Sequence, residues 1–374
     1  GNGWELAVGN FNGDTTTGGK PIDDIAVGVV DGGSFTFEGA VYIFFGAETT
    51  GLPSSPDVMI SHIANGVWAQ LGYSMESINW NGDEYDDLVM SSSGTGFTAH
   101  ESPVYMFLGR DIWSATYTAG DNTAPAYNGD ADLVIQRDDS DNGTYGEFGY
   151  ALAHTDMDND GLDEVIITHR DFNDAGNNDK VYILWSDPTL TDGINSGENT
   201  EPEYIRPPAV NVHIPFSVIS ADSGFGDYLR GVPSLDTTAS RGDEAQSLLI
   251  ARNNTGAHDV LLYNGVTDSH SMAPAAQVFE ESGDSNIKFG HWLGWAGDLN
   301  EDGYNDIFIA GNSLLRIGFG RNAATIATTQ DIPGIFDDGA TQEIHASGGL
   351  DFNGDGKLDI AVLNRATGQI FIIK

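Results

Sequence analysis

Five short stretches of the chain place oxygen-bearing side chains at one spacing. They are Asn10-Phe-Asn12-Gly-Asp14, joined after an insertion to Asp24; Asn79-Trp-Asn81-Gly-Asp83-Glu-Tyr85-Asp-Asp87; Asp156-Met-Asp158-Asn-Asp160-Gly-Leu162-Asp-Glu164; Asp298-Leu-Asn300-Glu-Asp302-Gly-Tyr304-Asn-Asp306; and Asp351-Phe-Asn353-Gly-Asp355-Gly-Lys357-Leu-Asp359. Counted from the first Asn or Asp, donors fall at positions 1, 3, 5 and 9. A tight loop turns alternate side chains toward one centre. Position 7 (Tyr85, Leu162, Tyr304 or Lys357) adds a backbone carbonyl, and position 9 returns a carboxylate from the next strand. Calcium takes about six to eight oxygens at ~2.3–2.6 Å, which this spacing supplies. Magnesium prefers to keep its waters, and zinc favours His or Cys ligands. Glycine at position 4 or 6 allows the positive φ such a turn needs. Recurrence, rather than any single acidic turn, carries the reading: about five calcium sites.

The same frame occurs a sixth time, around Ser234-Leu-Asp236-Thr-Thr238 and Ser247, with hydroxyls at positions 1, 5 and 9. No calcium is expected there.

The elements that hold these loops repeat as well. Leu71-Gly72, Phe148-Gly149, Phe225-Gly226 and Phe289-Gly290 precede the loops. An apolar run follows each loop, such as Asp87-Leu-Val-Met, and then an aromatic and β-branched run, such as Gly39-Ala-Val-Tyr-Ile-Phe-Phe-Gly46 or Lys180-Val-Tyr-Ile-Leu-Trp185. A fourth run with period-2 character closes five of the units, and no helical period stands out. Four strands in about 60 residues is the signature of a propeller blade. The expected fold is all-β, a single β-propeller domain over 1–374 with six recognisable blades, roughly 1–70, 71–147, 148–224, 225–288, 289–345 and 346–374. The last blade lacks its outer strand, to be left empty or filled from outside this chain, and a seventh blade is possible if residues outside the chain contribute. Residues 4–8 are expected to stay in the first blade.

Composition narrows the function. The formal charge is -41, from 15 Lys and Arg against 56 Asp and Glu, which excludes a nucleic-acid backbone binder and disfavours an anionic membrane surface. There is no cysteine, so disulfides, thiolate metal sites and Cys nucleophiles are absent. The apolar runs are strand-sized, so no direct membrane insertion is expected. The chain opens on Gly1 and reads as a mature or excised piece.

The combination of Phe-Gly, the nine-residue Asp/Asn loop and Gly-Ala-Val-Tyr resembles the FG-GAP repeats of integrin α-subunit propellers and of many bacterial surface proteins. The resemblance covers essentially the whole chain. It implies calcium in the loops between first and second strands, and ligand recognition on the opposite face. The departures are the six units, where integrin heads have seven blades, and the absence of disulfides.

On that opposite face the strand order gathers Phe35, Phe37, Trp68, Phe97, His100, Tyr145, His169, Arg170 and Phe172, a set suited to a protein or carbohydrate ligand. Arg241-Gly242-Asp243 resembles an integrin-recognised tripeptide but lies in the inserted loop of the fourth unit. Asn142-Gly-Thr144 and Asn253-Asn-Thr255 match the glycosylation pattern at the rate an Asn-rich chain gives by chance. The nine His form no nucleophile constellation. The reading is a non-enzymatic, calcium-stabilised binding or adhesion module outside the cell or on its surface. Loops of this kind fill at extracellular calcium levels, and the acidic excess fits a marine or saline setting. Its partner would be a protein or glycan, and it would belong to a longer chain or an assembly. The alternatives are a polysaccharide lyase or hydrolase on the same scaffold, with His100, His169, Arg170 and Tyr145 as base and acid, and a structural subunit of a surface assembly.

Overall fold

The second strands of the repeats are apolar at consecutive positions, which requires both of their faces to be covered. The computed structural model shows how this is met, and it describes residues 4–30, 38–62, 69–92, 103–119, 129–135, 146–171, 179–186, 203–205, 216–220, 224–235, 245–254, 257–266, 272, 274–281, 289–311, 314–321, 325–332, 344–364 and 367–373. The regular elements among these residues are all β-strands, and no helix long and apolar enough to cross a membrane occurs among them. The chain divides into two compact units: Gly1–His154, Leu162–Asn177 and Tyr182–Val218 form one, and Thr155–Gly161, Asn178–Val181 and Ile219–Lys374 form the other.

In the first unit, β1 (Trp4–Gly9), β2 (Asp24–Val29), β3 (Ala40–Phe44) and β4 (Val58–Ser61) form an antiparallel meander. Trp4 pairs with Val29 and Gly9 with Asp24, so residues 4–9 belong to the first sheet, as the sequence requires. The second sheet runs β5 (Leu71–Ile78), β6 (Asp87–Ser92), β7 (Val104–Phe107) and β9 (Leu133–Ile135). Two further strands were not foreseen. β8 (Thr116–Thr118) pairs parallel with β4, and β13 (Glu203–Ile205) pairs parallel with β9. In each case the chain between a third and a fourth strand reaches back to cover the edge of the preceding sheet. The third sheet, mostly in this unit, has the order β10 (Gly146–Thr155), β11 (Glu164–Asp171), β12 (Lys180–Leu184) and β14 (Phe216–Ser220).

In the second unit, β15 (Phe225–Val232), β16 (Ser247–Asn254), β17 (Ala257–Asn264) and β18 (Gln277–Glu281) form one antiparallel sheet. β19 (Trp292–Gly297), β20 (Asp306–Ala310), β21 (Leu315–Arg321) and β22 (Thr325–Ile332) form the next. β23 (Ile344–Leu350), β24 (Asp359–Asn364) and β25 (Gln369–Ile373) form a sheet of three strands among the described residues.

Within each unit consecutive sheets pack face to face. Leu88 and Met90 of β6 meet Val41, Ile43 and Ile60 of the first sheet, while Val89 between them meets Phe148, Val165 and Ile167 of the third. Ile307 and Ile309 of β20 likewise meet Leu249 and Val260, and Phe308 and Ala310 meet Ile360 and Val362. Alternation along one strand therefore feeds two cores, and this produces the unbroken apolar run.

The recurring Phe-Gly pair has a steric cause. Gly72, Gly149, Gly226 and Gly290 all have φ between +78° and +89°. A Cβ on Gly149 would lie 2.8 Å from Ser91 Cβ and Val104 Cγ2, and one on Gly290 would lie 2.8 Å from Val260 Cγ2. The glycine thus allows both the left-handed turn and the close approach of the preceding sheet. Gly368 has φ +68° but no neighbour within 4 Å. Left-handed strain alone costs about 1–2 kcal/mol, so Gly368→Ala should lose roughly that. Gly290→Ala should lose clearly more, because overpacking adds about 1–3 kcal/mol. Thermal denaturation of the two variants measures the difference, and equal losses would reduce the role of Gly290 to its backbone angle.

Candidate metal centres

All five acidic loops occupy one structural place, the connection from the first to the second strand of a sheet: β1–β2, β5–β6, β10–β11, β19–β20 and β23–β24. Their local geometry repeats. The position-3 side chain accepts the position-5 N–H in every loop: Asp14 to Asn12 at 3.0 Å, Asp83 to Asn81 at 3.0 Å, Asp160 to Asp158 at 3.2 Å, Asp302 to Asn300 at 3.0 Å and Asp355 to Asn353 at 2.7 Å. Position 5 in turn accepts the N–H of Tyr85, Tyr304 and Lys357 at position 7. These Asx turns coil the chain so that positions 1, 3 and 5 face inward. Position 4 has a positive φ in all five loops, and is Gly13, Gly82 or Gly354 in three and Asn159 or Glu301 in the other two.

The position-9 carboxylates are the most enclosed part of each loop. Asp24, Asp87, Glu164 and Asp306 are 0 % exposed, and Asp359 1 %. Three of them accept two backbone N–H groups. Asp24 accepts Phe11 at 2.9 Å and Gly46 at 2.8 Å. Asp87 accepts Trp80 at 3.0 Å and Gly109 at 2.9 Å. Asp306 accepts Leu299 at 2.8 Å and Gly320 at 3.0 Å. Burial still dominates over these bonds. It pushes the carboxyls of Asp24 and Asp306 up to about 6 and that of Asp87 to about 7, helped by nearby carboxylates such as Asp14, Asp83 and Asp298. Burial also raises Asp156, with Asp158 and Asp160 adding to the effect.

The residues fit a hard cation. Asn10 Oδ1, Asp14 Oδ1, Asp156 Oδ1 and Asp359 Oδ1 are buried oxygens with no hydrogen-bond donor, and each sits at an expected ligand position. In the third loop Asp156, Asp158 and Glu164 bring one oxygen each to within 4.8 Å of one another, close enough to share an ion. Three of the four loops with Asn at position 3 are built differently, since Asn81, Asn300 and Asn353 donate Nδ2 to the position-5 carboxylate at 2.8, 2.9 and 2.9 Å. Asp158 has no amide to donate, so the third loop concentrates the most negative charge.

Of the expected recognition residues, His169 and Arg170 are described, both on β11. His169 is buried, and the Arg170 guanidinium lies over the Tyr150 ring at 4.1 Å and 3.8 Å from Glu147. Tyr73, whose ring packs at 5.7 Å from that of Tyr150, has its hydroxyl pKa raised, first by burial. This gives Arg170 a packing role between strands. Phe35, Phe37, Trp68, Phe97, His100, Tyr145 and Phe172 lie outside the described residues, as do Asp236 and Arg241-Gly242-Asp243.

No protein-family model matches the chain. Phosphatidylinositol-glycan-specific phospholipase D of Homo sapiens is 40% identical over 89 residues, which are 23% of this chain and 10% of that protein. Those of Mus musculus and Bos taurus are 39% and 40% identical over the same span. The chain therefore spans about a tenth of the length of the curated relatives it matches.

The raised carboxyls set a pH dependence for the metal-free protein. Their ordinary value is 3.8 and their folded values are about 6 to 7, so the folded state holds protons that the unfolded state has released. Stability then falls as pH rises from about 4 to about 7. In chelator, the protein should melt higher at pH 5 than at pH 7.5, and Asp87→Asn should flatten the slope. A slope unchanged in that variant would place its origin in overall charge instead.

Proposed function

We propose that this chain is a calcium-stabilised β-propeller of the FG-GAP kind, serving outside the cell as a non-enzymatic module that binds a protein or glycan on the face opposite its calcium loops. The observation that carries the reading is the recurrence of one loop at one place in successive sheets, with buried oxygens that have no donor at ligand positions. The face-to-face succession of sheets supports the propeller, in which the ring closes by packing the first and last sheets. The outer position of the last sheet would be empty or filled by a segment not in this chain. Calcium is favoured over other ions because the donors are carboxylates, amide oxygens and carbonyls. The phospholipase activity in the name of the similar proteins is not carried over by a match to a tenth of their length.

Calcium here would be structural. Chelator should lower the melting temperature strongly, calcium should restore it, and magnesium should restore it poorly. An unchanged melt in excess chelator sinks the proposal. Ion counting grades the loops: Asp302→Ala and Asp355→Ala should each lose one ion and Asp236→Ala none. A glycan array against a turnover screen on acidic polysaccharides separates the binding module from the enzyme.

A further inference from the structure

Position 8 supplies no metal oxygen in the nine-residue pattern, and the sequence gives it no role. The structure gives it a repeated contact with the preceding loop. The Asp86 N–H donates to the Asn10 carbonyl at 3.0 Å, and Asp86 Oδ2 accepts the Asn10 N–H at 2.7 Å. Asp163 does the same to Asn79, with both bonds at 3.0 Å. Position 8 of one loop thus clamps both backbone groups of position 1 of the loop before it. Gly9 leaves room for this, since a Cβ there would sit 2.9 Å from Asp86 Oδ2.

The contact recurs in the second unit with different chemistry. Gln246, one residue before β16, donates its N–H to the Asp156 carbonyl at 2.7 Å, and its Oε1 accepts the Thr155 hydroxyl at 2.9 Å. Asn305 donates Nδ2 to the Ser234 carbonyl at 2.7 Å and accepts Trp295 Nε1 at 3.1 Å. Each of these two contacts holds the carbonyl of position 1 and not its N–H, so the double clamp belongs to Asp86 and Asp163.

We propose that Asp86 and Asp163 are positioning residues for the ion sites that begin at Asn10 and Asn79, an inference that rests on the calcium reading above. Asn10 is 6 % exposed and its Oδ1 has no donor. With N–H and carbonyl both held, the Asn10 backbone is fixed and its side-chain oxygen is aimed before an ion arrives. Asp86 also lies between Tyr85 and Asp87, the position-7 and position-9 donors of its own loop. Ordering of the second loop is therefore transmitted to the first, and of the third to the second.

Groups that orient a metal ligand without touching the metal cost about 10–100-fold in affinity when removed. The test is calcium titration by calorimetry on the full chain, with Asp86→Ala, Asp86→Asn and Asp14→Ala. Asp86→Ala should weaken one site by about 10–100-fold with no ligand removed. Asp86→Asn keeps an oxygen for the Asn10 N–H and should restore most of the affinity. In an Asp14→Ala background, where the first site is lost, adding Asp86→Ala should change nothing further. Unchanged affinities in Asp86→Ala, or a loss that persists in that background, would overturn the proposal. If Asp14→Ala loses no ion, the calcium reading of the first loop fails instead. Asp163→Ala, alone and combined with Asp83→Ala, then decides the clamp at the second loop by the same comparison.

Discussion

A buried carboxylate holding two backbone N–H groups is the constraint on which the sheets depend. Asp24, Asp87 and Asp306 each take one N–H from position 2 of the acidic loop and one from a glycine just beyond the third strand, or in its last two residues in the case of Gly320. A single side chain therefore fixes the loop, the start of the second strand and the end of the third. The position-2 side chains Phe11 and Trp80, whose N–H groups it holds, are themselves fully buried. Desolvation opposes this arrangement, which is why these carboxyls are hard to ionise without a compensating charge. A cation held between positions 1 and 9, as proposed above, would supply that charge. The acidic loop and the sheet around it are one system.

Charge elsewhere in the loops is partly neutralised from within. At position 3 the amides of Asn81, Asn300 and Asn353 donate to the position-5 carboxylate, so a nearly finished turn exists there without an ion. Asp158 converts that donor into another repelling carboxylate. The third loop consequently combines the closest set of acidic oxygens with the greatest need for a counter-charge. On the calcium reading, loops of one pattern would differ in how much of their folding they owe to an ion.

The loops were legible in the sequence because their spacing maps directly onto a coiled turn, and the strands because period and turn residues punctuate them. Continuous apolar runs such as Asp87-Leu-Val-Met announced two covered faces, and β6 feeds two cores. The parallel strands Thr116–Thr118 and Glu203–Ile205 were not legible. Three residues such as Thr-Tyr-Thr carry no period, and their partners lie a sheet away. The burial of His169 was missed because placement near a strand end does not say which way a side chain turns. Position 8 was missed because its work is done on a backbone some 76 to 84 residues distant.

Position 8 varies in kind, while positions 1, 3, 5 and 9 keep an oxygen-bearing side chain in all five loops. A ligand must be an oxygen donor, but a contact between loops needs only to fill a place. In the last pair the place is filled without a polar clamp. Leu358 packs where a Cβ on Gly297 would come within 2.6 Å of it, and Lys357 pairs with Glu301 across the two loops. The Lys357 ammonium is held more firmly protonated by Glu301. Both partners are exposed, so this pair is screened by salt and contributes little to stability. The inner contact of Leu358 is insensitive to salt. Adjoining loops are thus joined by hydrogen-bonded carboxylates in the first unit and by packing with a surface ion pair at the end of the second, and the two kinds of joint respond differently to ionic strength.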